Sequence, residues 1–166
     1  MNAVFYISSA VAIAATCMVI TQRRAVHALL YLILSLLSIA LVFFTLGAPF
    51  VAALEVIIYA GAIMVLFVFV IMMLNLGRQA AEQERHWLGP RAWIGPGILA
   101  AILFAEVVYV LARGSANAGE AVEIGPRAVG LSLFGPYLLG VELAALILLA
   151  GLVGAYHLGR RPRSDD

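Results

Sequence analysis

The sequence predicts an all-α integral membrane protein, a bundle of five transmembrane helices with the N-terminus outside and the C-terminus in the cytoplasm. Three observations carry that expectation. The 166 residues are 64% hydrophobic and only 11% charged, whereas soluble domains run near one quarter charged. Five apolar runs are each long enough to be read as a crossing, for which a helix needs about 20 residues. The arginines are segregated as well. One side would hold Arg23, Arg24, Arg78, Arg85, Arg91, Arg160, Arg161 and Arg163, and the other only Arg113 and Arg127. The positive-inside rule puts the arginine-rich side in the cytoplasm.

The first run covers residues 3–21 and ends before Arg23 and Arg24. It lacks a basic start, so it reads as a retained helix rather than a cleaved signal. No Asp, Glu, Lys or Arg interrupts the chain from Ala25 to Leu54, and that stretch with its continuation is too long for one crossing. Leu46-Gly47-Ala48-Pro49 supplies the reversal, because Gly permits a turn and Pro suits a first helical turn. The second and third helices are therefore expected over 27–46 and 50–75.

A polar segment through Arg91 follows, then a fourth helix over 93–112. A glycine-rich loop from Arg113 to Arg127 leads to a fifth helix over 134–157, whose start is interrupted by Gly130, Gly135 and Pro136. Residues 1–157 are expected to form a single membrane domain, and 158–166 a short, disordered cytoplasmic tail. Trp87 and Trp93 flank the fourth helix at its start, and most tyrosines fall near helix ends, where amphipathic rings prefer to sit. Tyr59 is the exception, about 13 Å along the third helix at 1.5 Å per residue.

The third run, LEVIIYAGAIMVLFVFVIMMLNL from Leu54 to Leu76, carries Glu55, Tyr59 and Gly61 near its start. An ionisable group there needs a partner, water or a proton, because an isolated charge in hydrocarbon costs several kcal/mol. Glu55, Glu106 and Glu142 all lie within spans, and counting along the helices puts all three in the outer half of the membrane. Carboxylates at one depth suit a hydrated patch or proton relay, or else hydrogen bonds that only lock helices. Tyr59-Ala60-Gly61-Ala62 sets a hydroxyl beside three small residues. That is a place for a distorted turn, or simply for close helix packing.

No CxxC, HExxH or paired-His spacing suggests a metal, haem or iron–sulfur site, and no glycine-rich phosphate loop follows a strand. Net charge near zero gives no sign of nucleic-acid binding. Cys17 reads as a small core hydrophobe, and as a lone cysteine it excludes an intrachain disulfide. With almost no extramembrane mass and no inverted repeat, the chain reads as a component of a larger hetero-oligomeric assembly.

Three stretches resemble one family: VHALLYLILSLLSIA from Val26, FFTLGAPFVAALEVIIYAGAIMVLFVFVIMMLNL from Phe43, and FGPYLLGVELAALILLAGLVGA from Phe134. The chain is similar over nearly its whole length to the chain J family of proton-pumping NADH:quinone oxidoreductase, respiratory complex I, whose mitochondrial counterpart is the sixth mitochondrially encoded core membrane subunit. The resemblance implies a five-helix subunit of the bacterial inner membrane that packs with A-, K- and H-type subunits and connects toward antiporter-like N-type subunits. It implies no cofactor on this chain, with NADH, FMN, iron–sulfur clusters and quinone handled by partners.

It also implies a third helix that switches between α and π-bulged forms around Tyr59 and Gly61, opening or closing a water path from the quinone region toward the antiporter-like subunits, and Glu55 matches the acid of that family stretch. Glu142 matches an acid of the family's last helix; Glu106 matches no family motif. Two other readings stand beside this one, a non-catalytic assembly subunit and an independent small ion transporter.

Overall fold

Residues 3–22, 25–74, 93–113 and 124–159 are described by a computed structural model. Arg23, Arg24, the polar segment after Leu74 with Trp87 and His86, most of the loop between the fourth and fifth spans, and the tail after Gly159 lie outside them. Among the described residues all regular structure is helical: α1 (Ala3–Thr21), α2 (Ala25–Thr45), α3 (Pro49–Leu54), a π segment (Glu55–Ile63), α4 (Met64–Leu74), α5 (Ile94–Arg113), α6 (Pro126–Leu133) and α7 (Leu138–Gly159). Five helical stretches are long and apolar enough to cross a membrane: Ala3–Thr21, Ala25–Thr45, Pro49–Met73, Ile94–Ala112 and Leu138–Gly159. In the third, α3, the π segment and α4 run on as one rod.

The reversal between the second and third spans has a definite chemical form. Gly47 adopts φ 80°, a conformation that costs a residue with a Cβ about 1–2 kcal/mol. Ala48 N–H then reaches back to the Phe43 carbonyl at 3.0 Å and Gly47 N–H to that of Phe44 at 3.1 Å. These are the paired bonds of a Schellman stop, which satisfy the last carbonyls of α2. Pro49 opens α3, where its missing N–H leaves no intrahelical bond unmade.

The fifth span begins later than expected. A turn over 134–137 separates α6 from α7, with Tyr137 N–H bonded to Ser132 O at 3.2 Å and Leu138 N–H to Gly135 O at 3.3 Å. Pro136 has no N–H to carry a helix through this point, so the span starts at Leu138 instead of Phe134.

The described residues form two compact units, Met1–Ile124 and Gly125–Asp166. In the first, α1 and α2 make the most extensive pair, and α5 lies against both. Val11, Ala15, Leu34 and Leu103 are its buried centre, with Leu37, Leu41 and Leu99 packed around them. Thr16 and Ser35 hydroxyls meet at 2.8 Å across the α1–α2 seam. The second unit comprises α6 and α7. No residue of α7 is buried within the chain, and its exposed surface carries Leu139, Ile147, Leu148 and Leu152. Such a face suits lipid or neighbouring subunits, since water would not solvate it.

Three contacts establish how the first four spans alternate. Ser8, near the start of α1, bonds Glu106, near the end of α5. The 2–3 reversal is tied to the segment after the fourth span by Ile124 N–H donating to Gly47 O at 2.8 Å. At the opposite end, the buried Tyr31 of α2 lies against Gly95 in the first turn of α5, so closely that a Cβ on Gly95 would overlap its hydroxyl. Each successive span therefore runs back across the layer.

Gly95 is a close-approach glycine, and its substitution overfills the α2–α5 contact. Gly95→Ala is expected to destabilise the subunit by about 1–3 kcal/mol, read as a lower thermal midpoint of the purified assembly. Gly97→Ala, at a helical position where a Cβ meets nothing within 4 Å, is the control expected not to lower it, since Ala favours helix over Gly.

Candidate functional site

The polar start of the third span is wound differently from the rest of the chain. From Glu55 to Ile63 the nine residues EVIIYAGAI form a π-helix. The flanking residues keep ordinary α geometry, with Leu54 at φ −62°, ψ −40° and Met64 at φ −66°, ψ −40°. At the upstream junction Glu55 N–H bonds the carbonyls of Val51 and Ala52. At the downstream junction Met64 N–H reaches Tyr59 O, five residues back, as well as Gly61 O. The hydrogen-bond register thus changes within an unbroken rod. Stretches of this kind are rare, short and concentrated at functional sites.

The local residues suit that register. A Cβ on Gly61 would come within 3.2 Å of the Val56 carbonyl five residues earlier, so hydrogen at this position relieves the closest approach inside the widened turn. Ala60 and Ala62 flank it with the smallest side chains that still favour helix. Glu55 and Gly61 are half-buried, and Tyr59 is 49% exposed. The π segment packs against α2 and contains no buried residue.

Between α2, the third span and α5 lies an open apolar groove of about 390 Å³, with Leu37, Phe44, Ala52, Val56 and Leu103 on its walls. Val56 belongs to the π segment, and Val107 on the facing wall follows Glu106. An apolar space of this sort gives water no hydrogen-bond partners.

The expected site residues therefore fall in three places. Glu55, Tyr59 and Gly61 share the π segment. Glu142 stands exposed on α7 in the second unit. Glu106 is buried on α5, where Ser8 Oγ donates to its Oε2 at 2.9 Å. Ser8 is fully buried and Glu106 is 6% exposed, while Glu106 Oε1 has no protein hydrogen-bond partner. A buried oxygen left so costs about 1–3 kcal/mol.

Ser8 was not singled out by sequence reasoning. Its signal was depth, because Ser8 lies about 8 Å from the start of α1 and Glu106 about 10 Å from the end of α5, and alternating spans bring those ends together. Among the described residues no group of three or more His, Cys, Asp or Glu is placed to hold a metal ion.

The fold and this site define a multi-pass membrane subunit whose third span carries a polar, π-wound segment. Sequence comparison makes the class specific. The family described as NADH-ubiquinone/plastoquinone oxidoreductase chain 6 matches residues 15–158, and the chain belongs to that family. NADH-quinone oxidoreductase subunit J of Pseudomonas aeruginosa is 59% identical over 162 residues, 97% of this chain and 98% of its own. The subunit J of Escherichia coli is 57% identical over 166 residues, 100% of this chain and 90% of its own. That of Buchnera aphidicola from Schizaphis graminum is 51% identical over 163 residues, 98% of this chain and all of its own.

The π register makes a local prediction. Gly61→Ala brings a methyl against the Val56 carbonyl and is expected to alter amide hydrogen exchange across residues 56–64, leaving α1 and α2 at their original rates. Exchange measured by mass spectrometry on the assembled complex checks this.

Proposed function

We propose that this chain is a membrane-arm core subunit of a proton-translocating NADH:quinone oxidoreductase, in which the third span couples quinone reduction elsewhere to proton movement. Membership of the chain 6 family and full-length similarity to bacterial subunits J support the assembly. The single observation that carries the coupling role is the π segment itself: Glu55, Tyr59 and Gly61 occupy one stretch whose backbone register differs from its flanks. Such a stretch has a nearby alternative, the α register, reached by moving each N–H from the fifth to the fourth preceding carbonyl.

In this account Gly61 permits both registers and Tyr59 rotates with the turn that carries it. Glu55 polarises the adjacent space so that water enters in one register and is excluded in the other. The protons pass along waters and membrane carboxylates, with Glu55 and Glu142 of this chain among them. The redox chemistry resides on partners: NADH, FMN, iron–sulfur clusters and quinone belong to other subunits, and this chain holds no cofactor. The packing partners are A-, K- and H-type subunits, with N-type subunits further along the path. The lopsided arginine distribution supports a periplasmic N-terminus and a cytoplasmic C-terminus in the bacterial inner membrane.

Inside-out membranes separate coupling from scaffolding. Gly61→Val places a branched side chain where even a single methyl is tight, and Glu55→Gln removes the charge while keeping the shape. Both variants are expected to assemble and to lower proton pumping per NADH oxidised, Gly61→Val with slowed turnover as well. Wild-type turnover and pumping in assembled Gly61→Val would sink the gating account and leave the third span as scaffold. An assembly defect in Glu55→Gln would point to a carboxylate that only holds helices together.

A further inference from the structure

Glu106 presents a separate problem from the π segment. It lies on α5, which packs against α1 and α2, and neither of those helices contains an Asp, Glu, Lys or Arg. The titratable groups of α1 are Tyr6, two residues before Ser8, and the exposed Cys17. Those of α2 are His27 and Tyr31, at the end of that helix that meets the start of α5, about 16 Å along α5 from Glu106. On α5 itself Tyr109 stands three residues on and Arg113 closes the helix about 10 Å further along the axis, and both Tyr6 and Tyr109 have interactions of their own. Across the apolar groove the nearest acid on the third span is Glu55, beside Val56 on its wall. Among the described side chains around Glu106, none brings a positive charge to the carboxyl.

The hydrogen bonding is just as one-sided. Ser8 Oγ donates to Oε2 at 2.9 Å, whereas the equally buried Oε1 has no protein partner. An ionised carboxylate has two oxygens to satisfy, and burial with no counter-charge among the described side chains penalises the ion far more than the acid. We propose that Ser8 and Glu106 form a buried proton-binding site that fastens the first span to the fourth, with the proton on Glu106 Oε1 and Oε2 accepting from Ser8. The bound species is a single proton, taken up as the carboxylate becomes the carboxylic acid. The site works as a neutral latch, and it does not depend on the coupling role of the third span.

The test uses the assembled complex. Glu106→Gln is the neutral isostere: its amide oxygen accepts from Ser8 and its NH2 replaces the acid O–H. It is expected to assemble at the wild-type level. The wild-type minus Glu106→Gln infrared difference spectrum is expected to contain one protonated-carboxyl C=O band. Ser8→Ala, which removes the donor, is expected to move that same band to higher frequency. A Glu106→Gln complex that fails to assemble overturns the proposal, because it shows that the site needs the charge. An assembled Glu106→Gln complex with no carboxyl band lost overturns it too, because the wild-type group is then ionised. A band indifferent to Ser8→Ala would contradict the pairing.

Discussion

A helix in hydrocarbon has to satisfy its backbone hydrogen bonds from within. No water is at hand for an exposed N–H or carbonyl, and each one left unmade costs several kcal/mol. Within this constraint a spanning helix that has to change shape changes register instead of opening. The third span meets the condition over Glu55–Ile63, where Met64 N–H turns back to Tyr59 O and the α geometry resumes on either side. Pro49 sits where its missing donor does no harm, and Gly61 is placed where a Cβ would crowd the Val56 carbonyl. The irregularity is held inside a continuous rod.

Around that rod the remaining spans provide a fixed frame. α1 and α2 are joined by apolar packing and by the Thr16–Ser35 contact, a type of interhelical hydrogen bond worth about 0.6 kcal/mol on average in membranes. Gly95 lets α5 approach Tyr31 at one end, while Ser8 and Glu106 join α1 to α5 toward the other. No residue of the π segment is buried within this chain, in contrast with Ser8 and Glu106. One polar feature is left open on this chain, and the other is enclosed.

Much of this arrangement is legible in the residues. Hydropathy and length locate the five spans, and Gly47 and Pro49 mark a reversal that takes the form expected of a glycine stop followed by a proline start. The start of the fifth span is harder to read, because Gly130, Gly135 and Pro136 all weaken helix and the sequence does not rank them. The chain in fact stays helical through Gly130 and breaks at 134–137.

The π register is invisible to composition, since α and π turns are built from the same residues and differ only in which carbonyl each N–H selects. The residues mark Tyr59-Ala60-Gly61-Ala62 as a place for a distorted turn or for close packing alike, and only the family resemblance makes that turn a π bulge. The Ser8–Glu106 pairing is a tertiary fact. Each residue alone looks like a stray polar group in an apolar run, and only the alternation of the spans brings them within 2.9 Å.

Under the proposed function the third span holds two registers, and turnover moves it between them. Electron cryomicroscopy of the complex in lipid, with particles sorted at rest and during NADH oxidation, tests it most directly. The account predicts a resting population with Met64 N–H on Tyr59 O, and a turnover population in which that amide has moved to Ala60 O with residues 55–63 rewound as α-helix. One register persisting unchanged in every particle class, at rest and in turnover, would contradict it.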